Sequence, residues 1–179
     1  RPPKGNPAAA RGEIAGFAAE AASKGAGIIV FPEMATTGYI WKSKEALRPF
    51  AEPANGDLFK ALSPVASRYG VWIICGFPES SDSRLFNSAL VISPDGEQCV
   101  CYRKIMLFDA DTLWAEPGDT RYIISTDMGE LVPGICMDLN DDGFTGFVRQ
   151  HSPAVIPFCT NWLEEGLDVH AYWRLRLEG

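Results

Sequence analysis

Gly27-Ile28-Ile29-Val30-Phe31-Pro32-Glu33 is the stretch whose reading decides the fold class. Ile28 to Phe31 is a continuous apolar run, too short for a helix and bounded by glycine and proline. Such a run reads as a strand buried on both faces. Pro32 stops it and leaves Glu33 at the strand's end. Before it, Ala8 to Lys24 is rich in Ala and Glu, with Ile14, Phe17 and Ala21 at helical spacing, which predicts an amphipathic helix. Gly25 and Gly27 end that helix, and Arg1 to Pro7 reads as a loop. After it, Glu45 to Pro53 predicts a short helix and a loop. Asp57 to Tyr69 predicts a second long helix, with Leu58, Leu62, Val65 and Ala66 on one face and Pro64 bending it. Gly70 closes it, and Val71 to Gly76 repeats the buried-strand pattern. Two helix-then-strand units predict a layered α/β architecture.

The second half changes character. Leu85 to Ser93 and Glu97 to Lys104 are strand-like and flank Pro94-Asp95-Gly96, a turn signal, which predicts a β-hairpin. Leu107 to Asp119 is irregular, polar and aromatic, as a functional loop would be. Arg121 to Thr126 and Leu131 to Cys136 read as strands on either side of a Met128-Gly129-Glu130 turn. Gly143 to Gln150 reads as a short helix, Ala154 to Phe158 as a strand, and Leu167 to Leu177 as a helix.

Composition narrows the function classes. Of 179 residues, 46% are hydrophobic and 22% charged, as in ordinary globular domains. One domain is the natural reading of that length. A net charge of −7 offers no electrostatic footprint for nucleic acid or an anionic membrane. No apolar run approaches the roughly 20 residues a bilayer span needs. There are five cysteines, an odd number at scattered positions, which does not suit a disulfide framework. Cys75, Cys99, Cys101 and Cys159 read as small buried hydrophobes in a reducing, cytoplasmic setting. With two histidines and no C-x-x-C pair, no metal site is expected.

Three polar residues stand where apolar strands end: Glu33, Lys104 and Cys136. Loops beyond strand ends are where open α/β sheets place their sites. Taken singly, each has a bland reading: a loop carboxylate, a surface lysine, a core thiol. Together they make chemical sense. A thiol needs a base to become a nucleophile, and a carboxylate can serve. Acyl transfer places negative charge on oxygen, which an ammonium group and the Met137 backbone N–H can stabilise. The same carboxylate can later activate water against the thioester.

FPEMATTGY around Glu33, YRKIMLF around Lys104 and GICMDLN around Cys136 resemble, in order and spacing, the three motif blocks of the nitrilase superfamily of carbon–nitrogen hydrolases. WAEPGD at Trp114 to Asp119 is similar to the family segment that bears a supporting glutamate, which would be Glu116. SPDGE, FNSALVI and the CTNW at Cys159 to Trp162 fit the same pattern. The resemblance runs from about Pro3 to Leu177. It implies a four-layer αββα sandwich, no cofactor and no metal, and a homodimer or larger homo-oligomer. It also implies that Cys136 is the nucleophile, Glu33 the general base and Lys104 the oxyanion group, with Glu116 positioning Lys104 or the substrate. Tyr39, Trp114, Asn161 and Trp162 would line the substrate pocket. Asn140-Asp141-Asp142-Gly143-Phe144 departs from the Arg-Phe-Pro-Glu that many members carry after the nucleophile. The family's opening strand and its later strands are also missing, so the sheet is expected to lack partners at both ends.

The leading expectation is therefore an amidase or N-carbamoyl amidohydrolase acting on a small molecule, with a nitrilase second. A reading of another class is an incompetent fragment or assembly subunit that keeps the three residues. Trp41, like Trp114, Trp162 and Tyr39, either lines the pocket or packs between layers. Arg149, Arg174 and Arg176 either bind a substrate carboxylate or form a solvated face. His151 and His170 have no part in this chemistry. No G-x-S-x-G elbow and no Gly-rich phosphate loop occurs.

Overall fold

The computed structural model describes residues 5–162, 166 and 168–178. Helix α1 (Pro7–Ser23) starts on an Asn6 side-chain cap to the Ala9 N–H and on proline in its first turn. Strand β1 (Ile28–Val30), the short helix α2 (Lys44–Leu47) and helix α3 (Asp57–Tyr69) follow. Gly70 ends α3 in the left-handed conformation. Strands β2 (Trp72–Ser81), β3 (Arg84–Ile92) and β4 (Gln98–Arg103) join β1 in one sheet of order β1-β2-β3-β4, in which only the β1·β2 pair is parallel. Then come β5 (Ile124–Thr126), β6 (Gly129–Leu131), β7 (Gly134–Ile135), helix α4 (Asp142–His151), β8 (Phe158–Cys159) and helix α5 (Val169–Glu178). Strands β7 and β8 pair in parallel, with Ile135 opposite Cys159.

Burial resolves these elements into layers. One face of the first sheet, with Ile73, Cys75, Phe77, Leu90 and Ile92, packs on Ile14, Leu58, Leu62 and Ala66 of α1 and α3. The other face, with Trp72, Ile74, Ala89, Val91 and Tyr102, packs on Leu131, Ile135, Cys136 and Cys159. Beyond those strands, Val132, Leu139, Phe144 and Val148 meet Trp173 and Leu177 of α5. Helices, sheet, strands and helices thus stack in the αββα order. Each fully buried aliphatic side chain contributes roughly 1.5–3 kcal/mol to this stack.

Several expectations change. Strand β1 is not buried on both faces: Ile29 is buried but Val30 is 40% exposed, because β1 is the edge of the described sheet. Strand β2 runs on to Ser81 and forms a second hairpin with β3, closed by Asp82 at positive φ. The polar Glu79-Ser80-Ser81 run had hidden that extension. Cys99 is exposed on β4, not buried, and Cys101 is half-buried with its thiol 3.5 Å from Glu79 Oε2. The expected strand at Ala154 to Phe158 shrinks to β8, with Val155 adding an isolated bridge to Leu131. Residues 1–4 of the expected N-terminal loop, and Leu167 at the start of the last helix, lie outside the described residues. Among the described residues no helix is long and apolar enough to cross a membrane, and no His/Cys/Asp/Glu group could hold a metal ion.

The end of β1 is seated directly on β2. Phe31 N–H donates to Ile74 O and Ala35 N–H to Gly76 O, each at 2.8 Å. A Cβ at Gly76 would lie 2.5 Å from Pro32 O and 2.6 Å from Glu33 Cα, so only glycine lets the two strands close here. Gly76→Ala is expected to lower unfolding free energy by about 2 kcal/mol, measured by urea titration. Gly16→Ala on α1, where a Cβ meets nothing within 4 Å, is expected to raise it by about 0.5–1 kcal/mol.

Candidate active site

Three strand ends converge at the seam between the two sheets. Glu33 follows β1 and begins a turn in which Met34 takes positive φ and Gly38 N–H closes on Met34 O at 2.9 Å. Lys104 follows β4, extending the ladder through Lys104 N–H to Asn87 O at 2.8 Å, and its own carbonyl accepts from Gly118 N–H at 2.8 Å. Cys136 follows β7 and opens a 3₁₀ turn (Cys136–Asn140) at φ +43°. A non-glycine residue in that region is strained by about 1–2 kcal/mol and holds only where its surroundings insist.

The side chains meet in a dry cluster. Glu33 and Lys104 are 1% and 0% exposed, and Lys104 Nζ lies 2.7 Å from Glu33 Oε1. Lys104 Nζ also lies 2.6 Å from Asp111 Oδ2, and Asp111 too is 0% exposed. Asn87 bridges the two carboxylates, with Nδ2 2.8 Å from Glu33 Oε1 and 3.4 Å from Asp111 Oδ2. Asn161 donates its N–H to Glu33 Oε2 at 3.2 Å and its side-chain amide to the Glu33 carbonyl. Burial alone would lower the Lys104 ammonium; the Glu33 and Asp111 charges outweigh it and hold it above its ordinary value. Burial pushes the Cys136 thiol up to about 12, and Glu33 adds to that, while Lys104 and the Thr160 hydroxyl draw it back. Cys136 is thus held as a protonated thiol beside a carboxylate. Burial, then the charges of Glu33, Asp111 and Cys136, keep Tyr39 protonated far above the ordinary phenol range. Its ring faces Lys104 Nζ at 5.9 Å.

The structure brings Glu33, Lys104, Cys136, Tyr39 and Asn161 together, but Glu116 goes elsewhere. The Glu116 side chain is 44% exposed and lies 3.9 Å from Lys44 and 4.0 Å from Arg84. Its backbone N–H is tied to Leu85 O, and that bond leaves the carboxylate at the rim. Asp111, in a 3₁₀ turn (Asp111–Leu113), takes the place beside Lys104. Nothing in Phe108-Asp109-Ala110-Asp111 singled that acid out. Asn161 grips Glu33 as well as standing near the expected pocket. Trp114 is 3% exposed and packs with Met34, Trp41, Leu47 and Leu85, which makes it a core residue. Trp162 is half-buried against the Cys136 cluster, 5.8 Å from Tyr172 and 5.9 Å from Trp173. Met137 follows Cys136 in the same turn. Arg176 lies on no free face: it caps the carbonyls of Leu139 and Asn140 at 2.9 and 3.0 Å and pairs with Asp142 at 2.8 Å. Arg149 donates to the Arg176 carbonyl at 3.1 Å. His151 meets Phe147 in a tilted contact and His170 meets Trp173 edge-to-face, away from the cluster.

Residues 2–153 match the sequence profile described as "Carbon-nitrogen hydrolase". Over 126 residues the chain is 34% identical to the protein N-terminal amidase of Schizosaccharomyces pombe, covering 65% of this chain and 44% of that protein. It is 38% identical over 137 residues to the chloroplastic omega-amidase of Arabidopsis thaliana, covering 67% of this chain and 36% of that protein. The chain thus spans less than half the length of these curated relatives. In fold it superposes on the crystal structure of an N-terminal amidase with an Asn-Glu-Ala peptide, at a TM-score of 0.80 and 22% identity, covering 98% of this chain and 51% of that one.

Removing one partner of a buried ion pair leaves charge stranded. Asp111→Asn is expected to cost about 3 kcal/mol in urea unfolding, and Glu116→Gln less than about 0.5 kcal/mol. Equal losses would put the two carboxylates on the same footing and contradict this assignment.

Proposed function

The chain belongs to the carbon–nitrogen hydrolase family, and from that premise we propose that it hydrolyses a non-peptide amide through a thioester on Cys136. The carrying observation is the buried contact of Glu33 Oε1 with Lys104 Nζ at 2.7 Å, formed beside a thiol that both groups influence. Glu33 takes the Sγ proton as sulfur attacks the carbonyl carbon. Two N–H groups of Lys104 go to Glu33 and Asp111, and the third, with the Met137 N–H, serves the oxyanion. The tetrahedral adduct collapses with cleavage of the C–N bond, and Glu33 returns the proton to the departing nitrogen. Water then attacks the thioester while Glu33 takes its proton, and Cys136 Sγ leaves and regains that proton. A base that is also paired to a lysine suits this cycle, because the ammonium stabilises each anionic stage.

The matches to an N-terminal amidase and an omega-amidase favour a primary carboxamide over an N-carbamoyl compound or a nitrile. The test is a panel of all three substrate classes read by ammonia release. Turnover of carboxamides is expected, falling to background in Cys136→Ala. Activity that survives Cys136→Ala would sink the mechanism. Iodoacetamide separates the enzyme from an inert assembly subunit. Cys136 is expected to alkylate faster than the wholly buried Cys159, and its rate to climb about tenfold per pH unit above neutral, since ionisation increases up to about 12. Labelling of Cys136 no faster than Cys159 would speak for the inert reading.

A further inference from the structure

Asp138 lies two residues after Cys136, is 0% exposed, and accepts four hydrogen bonds. Its Oδ1 takes the N–H groups of Ile105 and Met106 at 2.9 and 3.0 Å. Its Oδ2 takes the Tyr102 hydroxyl at 2.7 Å and the Ile135 N–H at 2.9 Å. These donors sit at informative places. Ile105 and Met106 directly follow Lys104, Tyr102 lies two residues before it, and Ile135 directly precedes Cys136. One rigid carboxylate therefore holds the backbone on both sides of the lysine and the backbone entering the strained nucleophile turn. The two candidate groups stand on different sheets, β4 and β7, whose contact is otherwise apolar packing of Tyr102, Ile135 and their neighbours. Apolar packing alone tolerates sliding, and directional hydrogen bonds do not.

We propose that Asp138 is a positioning residue, whose carboxylate fixes the separation and orientation of Lys104 relative to Cys136. The proposal deepens the hydrolase reading and rests on it for its kinetic consequence, while its geometric consequence stands apart. Every group facing Asp138 is a donor, so Asp138→Asn turns one acceptor oxygen into an NH₂ group aimed at donors. The tie is lost with little change of shape.

The test compares Asp138→Asn with Leu62→Ala, which loosens the core under α3 and touches nothing in the tie. Asp138→Asn is expected to lower kcat about 100-fold with KM within about threefold, as for a misplaced reacting group. Leu62→Ala, assayed where it is folded, is expected to keep kcat within about twofold. Unchanged kcat in Asp138→Asn, or an equal loss in Leu62→Ala, overturns the proposal. Should Asp138→Asn not fold, Tyr102→Phe removes one of the four donors and is expected to lower kcat about fivefold; an unchanged kcat overturns it equally. Should the unmutated chain turn over no substrate, the hydrolase reading fails on its own. Crystal structures of the chain and of Asp138→Asn then decide the geometry. The Lys104 Nζ to Cys136 Sγ separation is expected to change by about 1 Å, and an unmoved pair overturns the proposal.

Discussion

A buried ammonium group is the constraint around which the molecule is organised. Lys104 is 0% exposed, and an ion taken out of water costs several kcal/mol even after the protein relaxes. That cost is tolerable only where counter-charge and hydrogen-bond acceptors are already in place. Glu33 and Asp111 supply the charge, and Asn87 keeps the two carboxylates from facing each other bare. Each partner comes from a different element: the end of β1, the loop after β4 and the middle of β3. Satisfying one cation thus requires strands of the first sheet and their exit loops to meet at one place.

Much of this was legible in the sequence, for a physical reason. Buried strands announce themselves as short apolar runs, so an ionisable residue at the end of such a run stands out. Glu33, Lys104 and Cys136 were found that way, and the structure gathers them. Asp111 was not found, because it sits in an irregular loop beside a second aspartate, Asp109, and no periodicity distinguishes the two. Only the 3₁₀ turn at Asp111–Leu113 aims one inward and leaves the other outside. Glu116 was misplaced for the converse reason: a motif locates a residue along the chain but does not say which way its side chain points. Tyr102 and Asp138 hid as polar letters inside apolar strings. Arg176 read as either a carboxylate binder or part of a solvated face, because a carbonyl-capping role depends on a neighbouring turn, which the arginine's own segment does not reveal.

The layers also explain why the cluster is buried. The first sheet is covered by α1 and α3 on one side and by the second set of strands on the other, so Tyr102, Ile135 and Cys136 share one apolar interior. Low polarity there strengthens the Lys104 pairs and holds the thiol protonated. In the proposed reaction the same low-dielectric setting would favour a developing oxyanion. A single feature, burial, thus raises the Cys136 thiol and strengthens the charge pairs around Lys104.

The spans of the site contacts have a consequence for how the molecule comes into being. The Glu33–Lys104 bond joins residues 71 apart in sequence, and the Asn161–Glu33 bonds join residues 128 apart. Such distant pairings close late, because the entropy of drawing in the intervening chain must be overcome before they contribute. On the ribosome, Glu33 emerges long before Asn87, Lys104 and Asn161, the residues that will hold it. The helical pairs can form early, but the cluster around Glu33 is complete only when Asn161 has been made. In a nascent chain the buried cluster therefore closes in one late step, and Cys136 is enclosed only once the strands packed around it are in place.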